Sequence, residues 1–163
     1  MDMHGFSRNV MGQWISLDTI ELHLRGTQRE EILQALVDKV PEIAGQPTAR
    51  QTLLRALQER EQLCSTGIGD GIALPHARNA LVGLVDHPVI VMGRHDTGIP
   101  FGAIDGAPAR LFFLLVAPTV SQHLQVLARL SRLLSNVKVC QELFRVDRPE
   151  KALALLREAE NAM

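Results

Sequence analysis

Residues 110–116 read Arg-Leu-Phe-Phe-Leu-Leu-Val, and the unbroken apolar run after the arginine constrains the fold more than any other stretch. Successive side chains of a strand point to opposite faces, so a strand without polar alternation needs cover on both sides. Residues 88–92, Pro-Val-Ile-Val-Met, read as a second strand, with a turn at Asp105-Gly106 between the two. Residues 14–24 mix β-branched and aromatic side chains and read as a first strand near the surface. Residues 72–74, Ile-Ala-Leu, suit a short buried strand.

The covering layers are also visible. Thr27 and Glu30 form a capping-box pair, and Ile32, Leu33, Leu36, Val37 and Val40 then make an apolar helical stripe that ends at Pro41. Thr48 is the expected cap of a second helix that buries Leu53, Leu54 and Leu57 and ends near Leu63. A third helix starts at Thr119 or Ser121 and runs to about Ser135, and a helical piece follows over 139–144. Asp147, Pro149 and Glu150 read as cap, early proline and capping-box acid of a last helix. This order predicts an α/β or α+β layered domain, a mixed β-sheet covered by helices. At 163 residues the chain has the length of one domain; residues 13–163 form it and residues 1–12 are a loose tail.

Seventeen basic and eighteen acidic residues leave a net charge of -1, so the overall field attracts neither nucleic acid nor anionic lipid, and an anion site must be local. No apolar run reaches the roughly 18–20 residues that span a bilayer, and no basic-then-apolar leader opens the chain, which points to the cytoplasm. Cys64 and Cys140 carry no metal or Cys-His spacing and are expected as reduced packing thiols. His76, His87 and His95 lack the local spacing that anchors a metal site, so no metal is expected.

The chemistry concentrates in residues 65–78, Ser-Thr-Gly-Ile-Gly-Asp-Gly-Ile-Ala-Leu-Pro-His-Ala-Arg. Alternate glycines let a backbone bend toward a ligand and aim N–H groups at phosphate oxygens. Thr66, Gly67, Gly69, Gly71 and Arg78 are therefore the expected phosphate cradle, with Pro75 stiffening the approach to His76. An imidazole with a pKa near 6.5 keeps a neutral nitrogen at neutral pH, so His76 is a candidate nucleophile for a labile phosphoryl group. His123 falls at the start of a predicted helix, where free N–H groups favour an anion. Arg60 and Arg78 each offer a guanidinium. Neither an NTPase phosphate loop nor a dinucleotide fingerprint is present.

These residues resemble the fructose/mannitol-type (type 2) IIA components of the bacterial phosphoenolpyruvate-dependent phosphotransferase system, a family that includes the nitrogen-regulatory IIA protein. The resemblance rests on residues 65–76, on Phe101-Gly102-Ala103-Ile104-Asp105-Gly106 before the apolar strand, and on His123-Leu124 opening a Leu-rich helix. It implies a mixed sheet between helical layers, with helices on both faces. It also implies that His76 takes phosphate from the phosphocarrier HPr or its nitrogen-branch relative, commonly at Nε2, with His123 as second active-site histidine and Arg60 against the phosphohistidine. No metal or organic cofactor is implied. The partners implied are an HPr-like carrier and either a IIB domain or a regulatory target protein. With no IIB, IIC or membrane segment attached, the regulatory nitrogen-branch role is expected ahead of a sugar-specific relay to IIB, and both ahead of a non-phosphorylated binding module. Asp70 replaces a frequent asparagine, and Ala77-Arg78 a Gly-Lys or Gly-Arg.

Overall fold

The computed structural model describes residues 11–78 and 80–163. Five strands form one sheet in the order β1-β4-β5-β3-β2: β1 Ile20–Glu21, β2 Gly67–Gly69, β3 Ile72–Ala73, β4 Val89–Ile99 and β5 Ala109–Val116. The sheet is mixed, with β1 parallel to β4, β4 antiparallel to β5, β5 parallel to β3, and β3 antiparallel to β2. Six α-helices accompany it: α1 Met11–Trp14, α2 Arg29–Val37, α3 Pro47–Leu63, α4 Val120–Leu134, α5 Val137–Leu143 and α6 Pro149–Asn161.

The apolar run on β5 does what its pattern requires. Leu111, Phe113 and Leu115 enter one core with Ile90 and Met92 of β4 and the inner faces of α4, α5 and α6. Phe112, Leu114 and Val116 enter the opposite core with Val89, Val91 and the stripes of α2 and α3. The side-chain period of two thus sorts each central strand into two cores, and the sheet lies between helical layers as expected.

Gly93 of β4 lies tightly beneath Leu24 and Leu36 of α2's layer. A Cβ there would lie 2.4 Å from Leu24 Cδ1 and 2.8 Å from Leu36 Cδ2. Both leucines are buried. Gly93→Ala is expected to destabilise by about 1–3 kcal/mol through overpacking, measured as a lower urea midpoint with an unchanged m-value.

Several boundaries differ from expectation. Residues 14–24 contribute only the two-residue β1, because Leu17–Thr19 closes into a single 3-10 turn. There Ser16 N–H donates to Thr19 Oγ1 and Thr19 Oγ1 donates to Ser16 O, local bonds that compete with a ladder. α2 is capped one residue later than the Thr27/Glu30 pair predicts: Glu31 Oε1 accepts from the backbone N–H groups of Thr27 and Gln28. α3 opens with Pro47 after Gln46 rather than on a Thr48 cap. α6 follows Arg148, with Pro149 at its start, and Asp147 pairs with Lys151 at 3.0 Å instead of capping. β4 runs on past Met92 because its polar residues find partners: Arg94 Nη1 donates to Leu143 O at 3.0 Å and to Val146 O at 2.6 Å. The tail boundary falls inside α1, where a Cβ at Gly12 would meet the Arg157 side chain. Residues 1–10 of that expected tail lie outside the described residues.

Candidate functional site

His76 sits just beyond β3, where the chain still runs parallel to β5 and bridges to Leu115. Leu115 N–H donates to Pro75 O at 3.0 Å, which fixes the backbone beside the histidine. Ile72 and Leu74 belong to the core on the α4–α6 side, so strand alternation turns His76 toward α4. Its imidazole meets His123 there, with ring centroids 5.6 Å apart and planes inclined at 52°. The site lies in the crevice outside the carboxyl ends of two parallel strands, where open α/β sheets tend to bind ligands.

The His76 ring is half-buried and oriented. Nδ1 lies 2.7 Å from Leu74 O, and a carbonyl only accepts, so Nδ1 carries the proton. That leaves Nε2 with its lone pair available. Burial lowers the proton affinity of His76 below that of a free imidazole; the bond to Leu74 O opposes this and the Arg60 charge reinforces it. The ring is therefore neutral at pH 7.

His123 occupies the first turn of α4, itself buried. Thr119 caps this helix, its Oγ1 accepting from Gln122 N–H at 3.1 Å, and Thr119 O accepts from His123 N–H at 2.9 Å. The start of α4 thus faces the His76 region with the positive end of its dipole. Burial, then the neighbouring His76, hold the His123 imidazole toward its neutral form.

Arg60 arrives from the last turn of α3 and donates through Nη1 to Cys64 O. It shares a groove of about 440 Å³ with Arg78, which is exposed, and with the buried Ala77. Glu59 also lines the groove, so the two guanidiniums leave it with a small excess of positive charge.

The glycines do not come to His76. Gly69 and Gly71, with positive φ of 92° and 79°, form the tight β2–β3 turn together with Asp70 at φ 57°. Ile72 pairs with Leu111 and His76 bridges to Leu115, so the turn lies about 13 Å away along the strand. Gly67 N–H is taken by Ser65 Oγ at 2.9 Å, and Thr66 gives both its N–H and its hydroxyl to Glu61. The expected amide cradle is therefore a hairpin, and its amides serve the fold. Asp70 is exposed at the turn, its N–H donating to Asp105 Oδ2 at 2.9 Å, which removes any conflict with a phosphoryl group on His76. The left-handed φ also accounts for asparagine as the common alternative.

Of the other candidates, Cys140 is buried and Cys64 exposed, so only the former packs. His95 Nε2 lies 2.8 Å from Gly26 O while its Nδ1 accepts from Gly98 N–H at 3.0 Å. His87 lies between Asp86 and Glu42.

Sequence reasoning did not foresee the burial of Glu61 at the end of α3 or its two bonds to Thr66. Its signal was present: an acid in the last turn of a helix opposes the helix dipole and needs a partner elsewhere.

Residues 13–159 match the family described as phosphoenolpyruvate-dependent sugar phosphotransferase system, EIIA 2. A fructose-specific EIIA component from Haloferax volcanii is 33% identical over 144 residues, 87% of this chain and 91% of that protein. A nitrogen regulatory protein from Bradyrhizobium diazoefficiens is 33% identical over 132 residues, 80% of this chain and 82% of that one. The fructose-specific EIIABC component of Bacillus subtilis is also 33% identical, over 86% of this chain, which spans only 22% of that protein's length. Among solved structures, nitrogen regulatory protein IIA-Ntr from Neisseria meningitidis superposes with a TM-score of 0.79 at 27% identity, covering 90% of this chain and 99% of that one. The IIA mannitol enzyme of Escherichia coli, solved in complex with phosphorylated IIB mannitol, shares the fold, with a TM-score of 0.73 at 23% identity over 88% of this chain and 99% of that one. The matched span takes in both histidines, both helical layers and the whole sheet, and this chain belongs to the EIIA type 2 family of the phosphotransferase system.

Proposed function

We propose that the protein is a phosphohistidine carrier that accepts a phosphoryl group on His76 Nε2 from an HPr-like phosphocarrier. The observation that carries this reading is the Nδ1 contact with Leu74 O at 2.7 Å, which fixes the tautomer and leaves Nε2 free beside His123. Phosphoryl transfer asks little covalent chemistry of a protein; it asks for alignment and for charge opposite the equatorial oxygens. Arg60 supplies the charge, and the neutral His123 ring and the open N–H groups at the start of α4 supply hydrogen-bond donors. No organic cofactor or metal enters the step.

The output is regulatory in this reading. A phosphoryl group adds about two negative charges beside Arg60 and Arg78 and so alters the surface offered to a target protein. The likeness to IIA-Ntr, with the higher TM-score and identity of the two structures compared, supports it. A relay to a IIB domain is the second reading, favoured by the fructose-specific relatives at 33% identity. A pull-down with His76 phosphorylated and unphosphorylated separates them: a pure sugar relay has no state-dependent regulatory partner.

The test of the carrier role is incubation with phosphoenolpyruvate, enzyme I and an HPr-like carrier. One phosphate per chain is expected, stable in base, lost in acid, and mapped to the His76 peptide. Because only the neutral ring attacks and its proton affinity is depressed, acceptance is expected to stay constant as pH falls to about 6.5 and to decline only below it. An acid limb above that value contradicts a desolvated nucleophile.

A further inference from the structure

Glu61 is buried, 4% exposed, at the end of α3. Its Oε1 accepts Thr66 N–H at 3.0 Å and its Oε2 accepts the Thr66 hydroxyl, so the carboxylate grips one residue twice. Thr66 is itself buried, and its carbonyl accepts Leu74 N–H at 3.0 Å. Leu74 in turn holds the His76 ring through its own carbonyl. Three contacts therefore lead from the end of α3 to the imidazole. They pass through different peptide groups of Thr66 and Leu74, so what travels along them is position and not a continuous chain of polarised dipoles.

An isolated buried carboxylate is costly, and a family of contacts that leads nowhere does not explain why one stands here. Arg29 of α2 and Arg60 of α3 are the cations that act on it. Arg60 also acts on His76, so the acid and the imidazole share one cation. We infer that Glu61 and Thr66 form a clasp that positions His76, holding the ring in the tautomer that leaves Nε2 free to attack. The clasp rests on the carrier role proposed for His76, for which it supplies positioning residues; neither Glu61 nor Thr66 touches the phosphoryl group.

Glu61→Gln keeps the shape and both contacts: the amide oxygen accepts Thr66 N–H and the amide N–H donates to the Thr66 hydroxyl oxygen. Glu61→Ala removes both. Thr66→Val removes only the hydroxyl and is nearly isosteric, which tests the clasp even where Glu61→Ala does not fold. Two readouts are taken on each variant. The first is the tautomer of His76, read from ring ¹⁵N shifts without any phosphate donor. The second is the rate of phosphorylation by the phosphoenolpyruvate-driven relay.

The wild type and Glu61→Gln are expected to show the Nδ1–H form with rates within about threefold of each other, whereas Glu61→Ala and Thr66→Val show mixed tautomers and rates about 10- to 100-fold lower, the scale of a small misplacement of a reacting group. Folded Thr66→Val with a wild-type tautomer and rate overturns the clasp. A mixed tautomer in Thr66→Val, in a chain whose wild type takes no phosphate, supports the clasp and overturns the carrier reading instead.

Discussion

His76→Ala is expected to abolish phosphate uptake from a phosphoenolpyruvate-driven relay while leaving the fold in place. The His76 backbone, not its side chain, makes the bridge to Leu115, and the ring bonds to Leu74 O. Losing that bond costs about 1 kcal/mol, far less than the stability of an ordinary domain, about 5–15 kcal/mol. A melt and an intact-mass measurement on the same sample check both halves. A variant that melts within a few degrees of the wild type and still gains phosphate would move the acceptor elsewhere, and His123 is the first place to look. Loss of uptake together with loss of the fold would instead show that the ring holds up the sheet.

Phe112→Ala carries the largest expected effect on stability. Phe112 is fully buried on the α2–α3 side of β5, packs against Phe101 with ring centroids 5.4 Å apart, and pairs in register with Ala73 of β3. Truncating such a residue leaves a cavity that the sheet on one side and two helices on the other cannot fill, at a cost of about 3–5 kcal/mol. Urea unfolding checks this, and a loss below about 1 kcal/mol would mean that the layer above β5 collapses into the space. Because Ala73 lies opposite and leads to His76 within three residues, the same variant is expected to slow phosphate uptake.

What was legible in the sequence follows from which interactions are local. The run on β5 announced a two-sided core because alternation alone requires it, and the Leu-rich stretch after His123 announced α4. His76 and His123 could be named because an imidazole beside a proline-stiffened strand and one at a helix start are both readable signals. Their meeting was implied only by the resemblance; the residues alone do not show it, because it depends on β3 and β5 running parallel, a pairing between residues far apart in sequence. The glycines misled for a related reason. A Gly-x-Gly-x-Gly pattern states that the backbone turns sharply, and here the turn faces Asp105 and Phe144, not the nucleophile. Arg94 and His95 were lost from the β4 reading because their partners, carbonyls of the α5 region and of Gly26, come from distant segments.

In the role proposed for His76, the carbonyl of Leu74 has a bearing on how readily the ring lets go of its phosphate. When Nε2 bonds to phosphorus with the proton still on Nδ1, the ring becomes cationic, and the contact with that oxygen becomes charge-assisted and stronger. The proton is thereby retained through the lifetime of the adduct. When the P–Nε2 bond breaks its electron pair returns to Nε2, so the protonated ring departs as neutral imidazole, whereas a ring without the Nδ1 proton would have to depart as an imidazolate anion; the same oxygen that aims the ring for capture also keeps it a good leaving group.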